Sequence, residues 1–244
     1  MSAEPEGAEE EPEVSPGGSR IYRHQRRVPF APTAGSADNV EAITAHIEAT
    51  VGPIAHVLHE VVSDLVHVDL HVVEPSEARP YLLLVTSGMS EVPMRVPPEV
   101  DPSGLGYAEL AIQLPSDWPM EASLWRDEAN FWPLRWLKIL ARLPHAYDTW
   151  LGVGHTIPNG DPPRPFAPTT AQCGVILVRA GLIAEDFVEL EHEGKRIEFF
   201  QLVPLHADEM DFKLEHGADA LFARFAEREL SLIVDPQRPS VLAD

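Results

Sequence analysis

Cysteine is almost missing from this chain. Its 244 residues include one, Cys173. That excludes an internal disulfide framework and a cysteine-rich zinc site, and it fits a reducing, cytoplasmic setting. Long apolar runs are missing too. No stretch reaches the ~18 apolar residues of a membrane-spanning helix. The N-terminus has no apolar segment of the kind that opens a secretory signal. HExxH, GxSxG and a phosphate-binding loop are all absent, which removes the common signatures of metalloproteases, α/β-hydrolases and nucleotide-binding enzymes. Basic residues are scarce, with 18 Lys and Arg against 39 Asp and Glu, a net charge of −21.

The charge is unevenly placed. Residues 1–14 hold six glutamates and no base, and residues 20–27 hold four arginines (Arg20, Arg23, Arg26, Arg27) and no acid. Without those two segments 33 acids face 14 bases, leaving −19. The acidity therefore belongs to the folded part. Such a surface repels phosphate backbones, so nucleic acid is not an expected partner, whereas a basic protein is attracted to it.

Residues 1–19 are Glu, Pro, Gly, Ser and Ala with little to bury, so 1–36 reads as a disordered tail, acidic and then Arg-rich. Asp38 or Asn39 is a suitable N-cap, and Val40, Ile43, Ile47 and Val51 recur at helical spacing up to Gly52-Pro53. Val66, Val68, Leu70 and Val72 alternate with His67, Asp69 and His71, the pattern of a half-buried strand. Tyr81 to Val85 reads as a strand covered on both faces. Ala108, Leu110, Ile112 and Leu114 alternate with Glu109 and Gln113 in another strand, stopped at Pro115. Residues 131–143 form a largely apolar helix with Pro133 in its first turn and Arg135, Lys138 and Arg142 as a basic stripe. Two more strands are expected at Cys173–Val178 and Ile197–Val203. A helix follows over Leu214–Phe225, open to a break at Gly217. Strands and helices do not alternate strictly, so the fold class is α/β (α+β), a mixed β-sheet flanked by helices. One domain is expected over 37–238, with 239–244 as a C-terminal tail.

Several constellations could carry chemistry. His67, Asp69 and His71 share one strand face and offer the donor types of a zinc, iron or manganese site, the basis of a metal-dependent enzyme. Same-face neighbours on a strand lie roughly 7 Å apart, which suits neighbours better than a tight triad. Ser87-Gly88-Met89-Ser90 after a strand, with His155 in another loop, supplies the residue types of a hydrolase but also those of an ordinary turn. Cys173 sits in an apolar run, as a small buried hydrophobe does. Gly104-Leu105-Gly106 precedes a strand, whereas a dinucleotide loop follows one. Trp118, Trp125, Trp132 and Trp136 lie close in sequence and read as core. From Glu185 to Asp219 there are eleven acids and three bases, either a solvated face or a docking surface for a cationic partner.

The order of short segments is more informative than any one of them. HVDLHVVEPSEARPYLLLVTSGMSEVPM is followed by AELAIQLPSDWP, WPLRWLKILARLPH, TWLGVGHTIPNG and FFQLVPLHADEMDFKLEHGADAL. This series resembles the Suppressor of fused (SUFU) domain family, in its stand-alone bacterial form, over about residues 40–238. The resemblance implies a mixed-sheet domain that binds a protein partner, with no catalytic site and no cofactor. Animal members take an extended peptide by strand addition. Ser87, Gly88, Met89 and Ser90, together with Pro102, Ser103 and Gly104, resemble the loop region beside that groove. Asp101 stands near an acidic contact and Pro93 near an aromatic one. Stand-alone bacterial members are inferred to be immunity proteins that neutralise toxins, and the acidic body suits a basic toxin domain. Glu209, Asp211, Glu215 and Asp219 are the expected electrostatic contacts. A regulatory scaffold for an extended peptide, and the metal-dependent enzyme above, are the alternatives.

Overall fold

The computed structural model describes residues 13–24, 28–33, 35–100 and 106–243. In chain order the elements are β1 (Glu13–Val14), β2 (Arg20–Ile21), α1 (Ala37–Thr50), β3 (His56–Leu58), β4 (Asp69–Val73), β5 (Tyr81–Ser87), β6 (Tyr107–Pro115), α2 (Glu128–Tyr147), β7 (Thr156–Pro158), β8 (Gly174–Arg179), β9 (Glu189–His192), β10 (Lys195–Leu205), α3 (Ala207–His216) and α4 (Ala218–Glu227). The main sheet runs β3-β4-β5-β6-β10-β8-β7, and β9 pairs with the start of β10. Every pairing in it is antiparallel except β6 with β10. A parallel pair needs a long crossover, and the chain between these two strands supplies it with α2 and the β7–β9 region. The expected mixed sheet flanked by helices is what forms.

Period-2 alternation sorts the two faces. Leu70, Val72, Leu82, Leu84, Leu110, Ile112, Leu114, Phe200 and Leu202 meet Trp132, Trp136, Leu137 and Leu140 of α2 on one side. Val73, Leu83, Val85, Ala111, Ile197 and Phe199 meet Ile43 and Ile47 of α1 on the other. Ile176, Val203 and Leu205 pack with Met210, Leu221 and Phe225 of α3 and α4. Two covered faces explain why the segment read as half-buried is not. His71 is as enclosed as Leu70, and β4 is buried along its whole length. The strand also starts later than the apolar pattern suggests, at Asp69. Trp132 stacks on Phe166 at 4.6 Å between ring centroids, with Trp136 edge-on to the same ring at 4.9 Å. Trp132 and Trp136 are therefore core, Trp118 and Trp125 pack against it partly buried, and Cys173 is a buried free thiol.

Element ends differ from expectation for local reasons. Ser36 caps α1, its hydroxyl accepting from the Asn39 N–H. Asp127 caps α2 three residues earlier than expected, so Pro133 lies inside the helix and not in its first turn. Gly217 does divide the last helical stretch.

Both tails are more structured than composition implies. Residues 13–21 form a small hairpin, with Glu13 opposite Ile21. Its Gly17 N–H donates to the Leu214 carbonyl at 2.8 Å. A Cβ at Gly17 would lie 2.4 Å from the Gly217 nitrogen, so only glycine fits this contact. The remaining tail residues 1–12, with Arg26 and Arg27, lie outside the described residues. At the other end Glu209 is fully buried. It receives two bonds of 2.6 Å from Arg238 and one of 2.8 Å from the Val241 N–H. The expected boundary at 238 thus falls inside a bonded segment. Three buried glutamines reinforce it. Gln172 and Gln201 donate to the Asp235 and Leu232 carbonyls, and the Gln113 carbonyl accepts from Val234 N–H.

Leu137 is wholly buried between α2 and the sheet. Leu137→Ala should lower unfolding free energy by about 2–5 kcal/mol, read from the urea midpoint at unchanged slope.

Candidate functional site

A cluster of buried polar residues lies where β4, β5 and β6 meet the start of α1. Glu109 of β6 is fully buried. Its Oε1 accepts from the Gly88 N–H (2.9 Å), the Ser90 N–H (2.9 Å) and the Ser90 hydroxyl (2.6 Å). Its Oε2 accepts from the Thr86 hydroxyl at 2.6 Å. Thr86 Oγ1 in turn accepts the Leu110 N–H at 2.8 Å, so a side chain stands in for a ladder bond at this point. Asn39 of α1 donates to Ser90 Oγ at 2.9 Å. Burial pushes the Glu109 carboxyl above the ordinary carboxylate range, against the pull of its four donors. A raised folded pKa means that the stability Glu109 contributes is greatest in acid and is lost as pH rises through that value.

Around this knot the loop Ser87–Glu91 is pinned. Gly88 has φ 108°, and a Cβ there would sit 1.7 Å from the His67 carbonyl oxygen. Ser87 Oγ meets His71 Nε2 at 2.9 Å, and Glu91 accepts from the Ser36 N–H at 2.5 Å. Ser87, Met89 and Ser90, expected beside a partner groove, are all enclosed. Their side chains hold the loop and do not themselves face outward. Asp101 and Ser103 lie outside the described residues.

A second cluster lies next to the first. Asp69 is almost fully buried, and its Oδ1 accepts from the Glu60 N–H at 2.9 Å and meets His67 Nε2 at 3.0 Å. Its Oδ2 meets His59 Nδ1 at 2.8 Å. Burial alone would raise the Asp69 pKa. The Glu60 and His59 bonds, with the electrostatic pull of the neighbouring His67, outweigh it and leave the carboxyl below its ordinary range. Glu60 pairs with Arg142 and, at 3.8 Å, with Lys138, so the expected basic stripe of α2 is tied to this cluster. A cavity of about 340 Å3 opens over it, lined by Gly35, Ser36, Val40, Glu41, His67 and Asp69.

The metal reading of His67, Asp69 and His71 does not survive this geometry. His71 turns to Ser87, Asp69 is engaged by two other histidines, and among the described residues no group of three His, Cys, Asp or Glu is placed to hold an ion. The hydrolase pairing of Ser87 or Ser90 with His155 fails as well, because the serines bond His71 and Glu109 while His155 packs edge-on to Trp150 at 4.2 Å. Of the expected electrostatic contacts, Asp211, Glu215 and Asp219 are exposed. Glu209 is not, because Arg238 and two backbone N–H groups enclose it. Burial and Arg238 act in opposite directions on its carboxyl, and the Arg238 bonds leave the pKa lowered. Sequence reasoning missed Glu109 because alternation with apolar neighbours placed it in water. The one signal available was a glutamate in a strand that lies between two other strands.

What the fold defines at this stage is an α/β domain whose buried polar residues are spent on locking loops to the sheet. The family model described as Suppressor of fused protein (SUFU) matches residues 64–239, and the chain belongs to that family. Three solved structures are similar. A SUFU homologue from Neisseria gonorrhoeae has a TM-score of 0.63 at 15% identity, covering 86% of this chain and 100% of that one. A chain of a Sufu–Fu complex gives 0.60 at 14%, covering 84% and 92%. Drosophila Suppressor of fused gives 0.59 at 13%, covering 87% of this chain and 52% of that one. At these identities the likeness is one of fold. Among curated proteins none matches. No helix of the described residues is long and apolar enough to cross a membrane.

Two predictions follow from burial in this region. Gly88→Ala should abolish a stable fold, seen as loss of the cooperative thermal transition, since both φ and the His67 carbonyl exclude a Cβ. Burial also pushes His71 and His155 down from 6.5 to about 4. The unfolded chain then binds more protons between those values. Their stabilisation is complete above 6.5 and is lost as pH falls through about 4, at about 3 kcal/mol each. The loss in unfolding free energy between pH ~7 and pH ~4 should shrink by that amount in His71→Gln, measured by urea titration at both values.

Proposed function

We propose that this domain is a non-enzymatic protein-binding module that works by occlusion, in the manner of an immunity protein covering a basic toxin domain. The observation that carries this reading is the charge. A body of −19 is retained after the acidic and Arg-rich segments are set aside, and the acids of α3 other than Glu209, with those of α4 and β9, stand exposed. Asp208, Asp211, Glu215, Asp219, Glu189 and Glu191 all face water. Such a field speeds encounter with a cationic protein and selects against acidic ones. The family supports the mode of action, since one similar structure is a complex of Sufu with Fu. Occlusion asks for about 800 Å2 on each partner and a few desolvated anchors, and needs no cofactor.

A second reading has its own observation. The outer edge of β3 has no strand partner among the described residues. Next to it Val61 and Val62 are 97% and 72% exposed. An open edge beside exposed valines is what an extended peptide would need for strand addition. The pinned loop Ser87–Glu91 would then act by shaping the neighbouring backbone, not by touching the partner.

The test is co-purification with the basic product of a neighbouring reading frame, followed by association kinetics. Triple reversal of Asp211, Glu215 and Asp219 to lysine should slow association by roughly 10-fold or more at low salt, with the difference shrinking as salt rises. An unchanged association rate in the triple variant, or absence of a complex with protection from the toxin also absent, counts against the electrostatic reading. Loss of binding in a Val61→Asp, Val62→Asp variant with the charge variant unaffected favours the edge.

A further inference from the structure

The chain carries a basic segment of its own on its acidic face. Residues 13–24 cross the body as a strap. The hairpin β1–β2 sits at the junction of α3 and α4, where the Gly17 N–H donates to the Leu214 carbonyl at 2.8 Å. That carbonyl lies in the last turn of α3 and has no partner within the helix. A Cβ on Gly17 would lie 2.9 Å from the Glu215 carbonyl carbon and from the His216 nitrogen. The hairpin tip is therefore wedged against the backbone between Glu215 and Asp219. Both acids are exposed, as is Asp211 one turn earlier. The strap then runs on over the body. Arg20 pairs with Glu99 at 3.3 Å, and His24 lies against Tyr147 at the end of α2, 5.9 Å between ring centroids. Residues 20–27 hold four arginines and no acid, the densest positive charge in the sequence.

The seat is specific, but the hold is weak. Strands of two residues do not sustain a hairpin in water on their own. Among residues 13–24 Ser15 alone is buried, and its bonds to Gly18 and Ser19 stay within the hairpin. The pairs of Arg20 with Glu99 and of Arg23 with Glu13 are open to water on both sides, and such pairs add little to stability. A segment attached in this way opens long before the body unfolds.

We propose that residues 13–24 are an autoinhibitory strap, an internal stand-in for a basic partner segment that is seated on the α3–α4 junction and displaced when the partner docks. A partner that covers about 800 Å2 centred on Asp211, Glu215 and Asp219 collides with the hairpin tip. Association therefore passes through the released form, and the apparent dissociation constant is the intrinsic one divided by the released fraction. The device rests on the electrostatic reading of the α3–α4 face given above, and adds to it a threshold. A weakly cationic protein does not repay release of the strap, whereas a strongly basic one does.

The experiment uses the full chain, a fluorescein-labelled oligoarginine peptide as the basic probe, and two variants that keep the net charge at −21. Gly17→Val places a side chain where the α3–α4 backbone excludes one. Arg20→Gln with Glu99→Gln removes the exposed pair. Gly17→Val should bind the probe roughly 5-fold more tightly than wild type, the value for a strap closed in about four molecules of five. The double variant should move the same way by a smaller factor. The thermal midpoint should stay unchanged in both, because the core is untouched. Hydrogen exchange read by mass spectrometry should be slower for residues 13–21 in the free wild type than in Gly17→Val, and should rise to the variant's rate when the wild type is saturated with probe. Equal probe affinity in wild type and Gly17→Val overturns the strap and leaves the electrostatic reading standing. So does a 13–21 segment that keeps its protection at saturating probe. Absence of probe binding to wild type and both variants overturns the electrostatic reading, and the strap with it.

Discussion

A carboxyl group sealed inside the sheet, with no cation bonded to it among the described residues, is the constraint on which the rest of this structure turns. Leaving Glu109 without partners would be costly enough to forbid the fold. The chain meets that demand with two backbone N–H groups and two hydroxyls, and all four donors come from Thr86 to Ser90. The loop after β5 has to wrap around the carboxylate, and Gly88 has to pass within touching distance of the His67 carbonyl to do so. Ser90 then collects Asn39, which sets the start of α1. One acid in a central strand thereby fixes the relative placement of a loop, a helix start and the segment that carries His67.

The same economy recurs elsewhere. Glu209 holds the C-terminal segment through Arg238 and Val241, and Asp69 holds the loop between β3 and β4 through His59, His67 and the Glu60 N–H. Buried acids here are fasteners: Glu109 and Glu209 are satisfied chiefly by donors far along the chain and Asp69 by donors within ten residues of it, while the acids left outside make the field that a cationic partner would meet. The two populations cannot be told apart by counting charge. They differ in whether a strand or helix position faces another layer of the protein.

That distinction sets how far residue patterns carried. The apolar periodicities of α1, α2, β5, β6, β8 and β10 reflect burial on faces that hydrophobicity alone selects, and all six elements are found within a few residues of where the pattern put them. The strands β3, β7 and β9 are only three or four residues long. They owe their form to pairing with longer neighbours, so no local signal marks them. The hairpin at residues 13–21 was invisible for a related reason. Its composition is that of a disordered tail, and what ties it to the body is contact with distant residues, the close approach of Gly17 to the α3–α4 junction and the pairing of Arg20 with Glu99. Ser87–Ser90 stood out as a motif, but its enclosed position came from Glu109.

The sequence by itself determined the layered mixed sheet and the sign of the surface, because both depend on hydrophobicity and charge summed along the chain, and it determined the family through the order of its short segments. Tertiary structure alone decided which acids are buried, which serine meets which histidine, and where the tails attach. Those are matters of contact between residues far apart in the chain. A hydrogen bond depends on distances of a few tenths of an ångström, which no spacing along one dimension specifies.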